Sequence, residues 1–310
     1  MSYPKILVAI PCYNEAATIA KVVKDFRHQL PHAEVVVYDN NSSDDSIQLA
    51  REAGADIVRV PDQGKGNVVK KIFGDFTGDV CILVDGDDTY PADAVHDLLK
   101  PILDTKADMV VGTRLENATS STLRLLHQFG NRFFLFLINF FFRTNYSDIL
   151  SGYRLMSRRF VENVPVLTGG FEVETELTLQ ALEKGFRLKE IPIHYRERPE
   201  GSYSKLSTFS DGYKIMFTII SILRDYRPMT FFPILSCVFI IPGLVFGGIV
   251  VHEYFQTGII ERIPTTLFSI LLIILGVISF MAGFIVGAIN RRHNELISLL
   301  NAKIDRLSKK

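Results

Sequence analysis

Two long apolar segments near the C-terminal end constrain this chain of 310 residues most strongly. The first runs from Phe231 to Val251 and the second from Pro264 to Ile289, and neither contains a charged residue. A helix needs about 20 apolar residues to cross a bilayer, so each segment is long enough to span one. A buried helical hairpin of a soluble protein is the alternative, and two uncharged segments of this length disfavour it. The sequence therefore predicts a two-helix transmembrane hairpin over residues 229–290.

The short connection from His252 to Ile263 carries Glu253, Glu261 and a single arginine, Arg262, whereas more basic residues lie outside the hairpin. They are Arg224, Arg227, Arg291 and Arg292. Because positive charge stays on the cytoplasmic side, we expect both chain ends in the cytoplasm and the short loop outside. No signal-like apolar stretch precedes the first strand-like run. The sequence thus indicates a protein of the cell (inner) membrane with two spans and a cytoplasmic active site.

Composition adds little about partners. Lys plus Arg and Asp plus Glu both number 34, so net charge gives no sign of a nucleic-acid partner. The three cysteines, Cys12, Cys81 and Cys237, have no pair at metal-ligand spacing. Two of them lie in strand or motif positions of the polar part, which favours reduced thiols over a disulfide framework.

The polar part alternates short β-rich runs with helical stretches, which predicts βαβ units and a mostly parallel α/β sheet. Ligands of such sheets bind beyond the carboxyl ends of the strands. The predicted strands are Lys5–Ile10, Glu34–Tyr38, Val80–Val84 and Met109–Val111, and the predicted helices are Ala16–Gln29, Ser43–Ala53, Lys65–Phe76 and Ala92–Leu103.

Acidic side chains follow the third predicted strand at once. Asp85, Asp87 and Asp88 occupy three of four consecutive positions, where their like charges would repel one another. A hard divalent ion such as Mg²⁺ or Mn²⁺ takes carboxylate and phosphate oxygens. A solvated acidic turn before Pro91 is the alternative. Polar runs also follow the first strand (residues 11–15) and the second (residues 39–44), and their common position favours a ligand site.

A short apolar run from Phe133 to Phe142 holds six phenylalanines between Arg132 and Arg143. It is too short to span a bilayer, so we expect a helix at the membrane interface, within a segment of about 120–143. A buried core helix is the alternative. Residues 207–228 read as a second amphipathic, juxtamembrane helix.

The tail, residues 291–310, carries apolar residues at coiled-coil spacing. They are Ile297, Leu300, Ile304 and Leu307. Two heptads make a weak pattern, and a single amphipathic helix on the membrane is the alternative. We expect a homo-oligomer held together in part by this tail.

Six ordered motifs resemble the family 2 glycosyltransferases of the GT-A fold, and in particular the polyprenyl-phosphate glycosyltransferases. They lie at Val8–Glu15, Tyr38–Asp44, Gly64–Gly66, Asp85–Asp87, Ser147–Met156 and Arg198–Leu206. With two C-terminal spans, the chain most resembles the bactoprenol glucosyltransferase type, a relative of dolichyl-phosphate mannose synthase. The resemblance implies a GT-A catalytic domain over residues 1–206.

The resemblance also implies roles for individual residues. Asp87 would ligate the metal, and Asp85 would contact the metal or the nucleotide. The nucleotide sugar would be held by Pro11, Tyr13, Glu15, Asp39 and Lys65. For Glu15 and Asp39 the alternatives are a helix N-terminal carboxylate and an Asx-turn.

The lipid acceptor, a polyprenyl phosphate, needs cations. The candidates are Arg114, Arg132, Arg198 and Lys205, of which Arg132 matches the family least well. Asp148 matches the family's catalytic base, although a role in orienting the phosphate or an arginine is physically sufficient, because the acceptor is mostly dianionic at neutral pH. Arg154 is a candidate both as the partner of Asp148 and as a phosphate ligand.

The predicted reaction moves a hexose from a nucleotide sugar to undecaprenyl phosphate, with inversion. UDP-glucose is the favoured donor on overall resemblance, and GDP-mannose is the alternative. A processive polysaccharide synthase would need more spans and a Q-x-x-R-W motif, but the chain has no Trp. A dinucleotide-dependent oxidoreductase would need a G-x-G-x-x-G after the first strand. An inactive lipid-carrier assembly subunit would be expected to have lost Asp85, Asp87 or Lys205.

Overall fold

The computed structural model describes residues 3–114, 135–170, 172–196, 216–217, 220–221, 223–224 and 227–308, with the backbone alone after residue 292. The chain forms two units, Met1–Ile219 and Ile220–Lys310.

The first unit is built on one mixed sheet. In the part of the chain described, its strands are β1 Ile6–Cys12, β2 Glu34–Asp39, β3 Asp56–Arg59, β4 Val80–Leu83, β5 Met109–Arg114, β6 Arg154–Ser157 and β7 Leu188–Ile193. Their order is β3-β2-β1-β4-β6-β5-β7. Strand β6 runs antiparallel to its neighbours β4 and β5, and the other pairs are parallel. The predicted mostly parallel α/β fold is confirmed.

Helices cover both faces of this sheet. They are α1 Ile19–Gln29, α2 Ser46–Glu52, α3 Lys65–Asp75, α4 Val95–Leu103 after a 3₁₀ turn at Ala92–Ala94, α5 at 135–142, α6 Arg158–Asn163 and α7 Val173–Glu183. Successive strand residues point to opposite faces. Val8 and Ile10 therefore join an apolar cluster with α1 and α4, whereas Leu7 and Ala9 join one with α3 and α7. Burial on both faces explains the continuous apolar strands.

Two predicted helix starts are wrong by three residues, because local hydrogen bonds replace the first turn. Helix α1 begins at Ile19 rather than Ala16, since the Glu15 carbonyl accepts the N–H groups of Thr18 and Ile19 in a turn. Helix α2 begins at Ser46 rather than Ser43. The residues before it are engaged with the loop that follows β1.

Helix α5 is part of the predicted interfacial segment, and it is buried on one side only. Ile138 is fully buried, whereas Phe136 and Phe140 are 61% and 60% exposed, and their rings stack with centroids 6.0 Å apart. A fully buried core helix is therefore ruled out for these residues, and contact with lipid stays a prediction. Residues 115–134 and most of 207–226 lie outside the described chain.

The second unit holds two helices, α8 Pro228–Thr257 and α9 Ile263–Ser308. Both are long and apolar enough to cross a membrane. They pack through small residues, as membrane helices do. Ser236 Oγ donates to the Gly276 carbonyl, and Ser269 Oγ donates to the Gly243 carbonyl, both at 2.7 Å. Helix α9 continues unbroken into the tail.

Candidate active site

The loops that follow β1, β2 and β4 meet at one edge of the sheet. The register pairs Cys12 with Asp39, so β1 and β2 end together. It pairs Leu83 with Ala9, so β4 ends three residues before β1 and the residues after β4 continue beside the end of β1. The polar runs predicted to form a site therefore lie side by side.

The loops after β1 and β2 are tied to each other by hydrogen bonds. Asn14 has a left-handed backbone (φ 53°), its N–H donates to Ser42 Oγ at 3.0 Å, and its Oδ1 accepts the Ser43 N–H at 2.7 Å. The Glu15 N–H donates to Ser46 Oγ at 2.8 Å. These hydrogen bonds hold the two loops that carry the predicted nucleotide-binding residues. Of these residues, Pro11 and Glu15 are half-buried, Tyr13 is exposed and Asp39 is buried.

Asp39 accepts the Ser42 N–H through Oδ1 at 3.1 Å. The alternative of a turn-forming carboxylate is thus present in the structure, and it is compatible with a ligand role for the second oxygen. The next residue, Asn40, is also buried, donates to the carbonyls of Val60 and Asp62, and accepts the Gly64 N–H at 2.7 Å. Asn40 thereby joins the loop after β2 to the start of α3.

The three carboxylates after β4 point to different partners. Asp87 is buried and accepts Thr89 Oγ1 at 2.6 Å and the Thr89 N–H at 3.2 Å. Asp88, in a left-handed conformation (φ 57°), forms an ion pair with Lys21 at 2.8 Å. It therefore ties the loop to α1 and is not simply part of a solvated acidic turn.

Asp85 and Glu174, which lies far along the chain, both form ion pairs with Lys65. Lys65 Nζ contacts Asp85 Oδ1, and it also lies 2.5 Å from Glu174 Oε1 in α7. Burial alone would lower the pKa of Lys65, but the charges of Asp85 and Glu174 raise it above its ordinary value. The lysine is therefore held in its charged form at the centre of this triad.

The segment before β6 packs directly against Asp85. A Cβ at Gly152 would come within 2.9 Å of the Cγ of that carboxylate, so a larger residue here would displace the Asp85 side chain. The Gly152 N–H donates to the Tyr90 hydroxyl at 2.8 Å. The Asp85–Asp87 and Ser147–Met156 motifs thus form one site.

Asp148 lies in this same segment and binds Arg114 through both oxygens. Arg114 Nε donates to Asp148 Oδ2 at 2.7 Å, and Nη2 donates to Oδ1 at 2.8 Å. Burial alone would lower the pKa of Arg114, but the carboxylate of Asp148 raises it. The Arg114 guanidinium also lies over the Tyr195 ring, 5.7 Å from its centroid. The base candidate and one phosphate-binding candidate are therefore each other's partners.

Arg154 does not fill either role considered for it. It is fully buried, and it donates to Thr178 Oγ1 and to the carbonyls of Ile149 and Ser151, at 2.8–2.9 Å. These hydrogen bonds hold the backbone of residues 149–151 in place. The backbone carbonyls offered Arg154 enough acceptors, which the sequence spacing of Asp148 and Arg154 could not reveal.

The remaining acceptor candidates, Arg132, Arg198 and Lys205, lie outside the described residues. Sequence reasoning missed Glu174 and Tyr90. The available signal for Glu174 was an acidic side chain recurring at positions 172, 174 and 176 beside otherwise apolar and neutral residues.

The donor set suits a hard divalent ion. Asp85 and Asp87 offer carboxylate oxygens at one strand end, and Mg²⁺ or Mn²⁺ completes such a site with waters and substrate phosphates. Within the described chain, no group of three or more His, Cys, Asp or Glu side chains forms a metal cluster. Asp85 and Asp87 therefore fit a metal site in which two carboxylates bind the ion together with the phosphates of a ligand.

The mixed sheet, with helices on both faces and carboxylates beyond the ends of its strands, has the architecture of a glycosyltransferase of the GT-A fold. The family described as Glycosyl transferase family 2 matches residues 7–164, and the chain belongs to this family. Among its relatives is Glycosyltransferase AglJ of Haloferax volcanii, 29% identical over 88% of this chain and 92% of that protein. A Dolichyl-phosphate hexose transferase of the same organism is 29% identical over 73% of this chain and 97% of that protein.

Solved structures share the fold. Glucosyl-3-phosphoglycerate synthase from Mycobacterium tuberculosis, crystallised with Mn²⁺, UDP-glucose and phosphoglyceric acid, superposes with a TM-score of 0.58. The likeness covers 71% of this chain and 79% of that chain at 21% sequence identity. It places the present chain in the same fold.

Proposed function

We propose that the protein is a membrane-bound inverting glycosyltransferase that moves glucose from UDP-glucose to undecaprenyl phosphate. The observation that carries the proposal is the joined site, in which Asp85 lies against the segment that contains Asp148, and Asp148 in turn binds Arg114. The relative named for a dolichyl-phosphate acceptor supports a lipid phosphate. The Mn²⁺ and UDP-glucose bound to the M. tuberculosis enzyme support the donor.

The donor would bind at the loops after β1 and β2, which are joined by hydrogen bonds. Its diphosphate would lie near Asp85, Asp87 and Lys65. Asp87 and Asp85 would hold a Mg²⁺ or Mn²⁺ ion, which would supply positive charge to stabilise the departing diphosphate. Lys65, kept protonated by its two carboxylates, adds a second positive charge at this place.

In the proposed reaction, a phosphate oxygen of the lipid attacks the anomeric carbon of glucose. The bond from that carbon to the diphosphate breaks, and its electron pair leaves with UDP. Inversion converts the α-linked donor into a β-linked lipid-phosphate sugar. The second pKa of a phosphate monoester is about 6, so most of the acceptor carries no proton to remove.

The acceptor therefore needs orientation and charge neutralisation more than a base. Because Asp148 is engaged with Arg114, we assign it the role of holding the guanidinium toward the lipid phosphate, with proton removal confined to the minor monoanion. Arg132, Arg198 and Lys205 are proposed as further phosphate-binding cations. We propose that the reaction takes place at the cytoplasmic face of the cell membrane and that α8 and α9 anchor the protein in this membrane.

The direct test is transfer to undecaprenyl phosphate by purified full-length protein in mild detergent. The donor panel contains UDP-glucose, UDP-galactose, UDP-GlcNAc and GDP-mannose, with the lipid product identified by mass spectrometry. Transfer from UDP-glucose alone supports the proposal, and preference for GDP-mannose would replace it with mannose transfer. No transfer from any donor would contradict the activity itself.

Asp87→Ala is expected to abolish this transfer, and EDTA is expected to do so reversibly, because both remove the cation that stabilises the leaving group. Restoring Mg²⁺ or Mn²⁺ should recover turnover in the wild type only. Asp97→Ala, an exposed carboxylate on α4, is the control and should leave transfer unchanged. Full turnover after exhaustive metal removal would contradict the metal site.

A further inference from the structure

We propose that Glu174 is a positioning residue that sets how strongly Asp85 binds the divalent cation, by taking up the charge of Lys65. The inference rests on the proposed function. It deepens that function by adding a third acidic side chain that does not itself touch the cation.

The ammonium group of Lys65 lies between two carboxylates. Lys65 Nζ contacts Asp85 Oδ1 on one side and lies 2.5 Å from Glu174 Oε1 on the other. The side chains of Glu174 and Lys65 are only 4% and 11% exposed, whereas that of Asp85 is 26% exposed. Glu174 is thus the buried end of the triad and Asp85 the end open to a ligand.

The backbones that carry these residues are fixed to each other. Lys65 is the first residue of α3, and the N–H of the next residue, Gly66, donates to the carbonyls of Gly169 and Gly170, just before α7. Glu174 lies in the first turn of α7. Adjustment within the triad therefore falls to the side chains, chiefly to the flexible lysine.

Electrostatics give this arrangement a direction. A divalent cation at Asp85 repels the Lys65 ammonium and competes with it for the same carboxylate. With Glu174 charged, Lys65 keeps a full counter-charge when Asp85 turns to the cation. With Glu174 neutral, the same step would leave a buried ammonium without a partner, which is costly. Loss of the Glu174 charge should therefore weaken cation binding.

The test is a Mn²⁺ titration of the full-length protein in detergent, followed by electron paramagnetic resonance with UDP at saturation. Glu174→Gln is expected to weaken Mn²⁺ binding about tenfold. Effects of this size are common when a mutation removes one of two residues in direct contact, here Glu174 and Lys65. The double variant Lys65→Gln/Glu174→Gln has the same net triad charge as the wild type, and it should regain most of that affinity. Unchanged affinity in Glu174→Gln, or further loss in the double variant, would overturn the proposal.

Asp108→Asn is the matched control. Asp108 is a buried carboxylate paired with Arg187 at 3.0 Å, at the opposite end of β5 from the site. Its replacement should lower thermal stability without changing Mn²⁺ affinity. If Glu174→Gln does not fold, Lys65→Gln is compared with the double variant: because Glu174 acts through the Lys65 charge, its loss should change Mn²⁺ affinity little once the lysine is absent. A loss of about tenfold in that comparison would overturn the proposal. Absence of Mn²⁺ and UDP binding in the wild type would instead contradict the proposed function, and this inference with it.

Discussion

At the scale of single residues, Asp148 shows how a contact changes the meaning of a substitution. Both of its oxygens bind Arg114, so Asp148→Asn removes a charge pair as well as a possible proton acceptor. We expect turnover to fall at least about tenfold, which is less than the roughly hundredfold or more that a general base contributes, because the assigned role is mainly to orient Arg114. UDP affinity should change little. Steady-state kinetics and a separate UDP-binding measurement distinguish the two effects.

Near-normal turnover in Asp148→Asn would contradict any part in catalysis and leave only a structural role. Asp104→Asn, an exposed carboxylate paired with Lys106, is a suitable control. Loss of UDP binding in step with turnover would instead place the defect at the donor site.

The site residues that sequence predicted and those it missed differ in how far apart their partners lie. Asp85 and Asp87 follow an apolar strand directly, so a local pattern revealed them. Glu174 depends on Lys65, more than a hundred positions earlier, and no local pattern joins the two. Arg154 was misjudged for a similar reason, since backbone carbonyls and a threonine of α7 bind it.

At the scale of elements, the start of α3 depends on close backbone contact. A Cβ at Gly66 would come within 2.7 Å of the Gly169 carbonyl carbon and closer still to the Thr168 oxygen. Gly66→Ala is therefore expected to lower stability by about 1–3 kcal/mol, as overpacking commonly does. Circular dichroism melts in detergent would measure it as a lower unfolding temperature.

Gly74→Ala tests the same substitution in the same helix without the contact. A Cβ at Gly74 has no neighbour within 4 Å, so alanine should be neutral or stabilising by up to about 1 kcal/mol through helix propensity. Equal effects at positions 66 and 74 would show that the contact with residues 168–170 contributes nothing.

Strands with continuous apolar runs were predicted, and the strands that were missed are two edge strands and one short central strand. Strand β1 is a continuous apolar run, which its two covering layers explain. Strands β3 and β7 are edge strands with half-exposed residues, and β7 contains Pro192. Strand β6 has four residues, one of them an arginine, so its pairing with β4 and β5 is a tertiary outcome rather than a local preference.

At the scale of the whole molecule, α9 extends from the predicted second span into the tail without a break. Apolar residues at positions 297, 300, 304 and 307 repeat at coiled-coil spacing along it. We expect the protein to be a homo-oligomer in mild detergent, and deletion of residues 291–310 to reduce its mass toward the monomer. Light scattering with correction for bound detergent measures both masses.

A monomer mass with and without the tail would contradict this expectation. The matched control keeps the tail and replaces its lysines at positions 303, 309 and 310 by glutamine, which weakens attraction to anionic lipid but leaves the apolar spacing intact. An oligomer that survives this change but not the deletion would favour contact between tails over contact with the bilayer.

The reversed direction of β6 has a consequence for how this enzyme can vary in length. Neighbouring residues of a strand face opposite sides, so Tyr153 packs edge-on to Phe26 on one side of the sheet while Arg154 binds Thr178 on the other. One inserted residue here would exchange the two, and a guanidinium would enter an apolar layer. One residue inserted or deleted between 149 and 157 is therefore expected to lower the stability of the first unit.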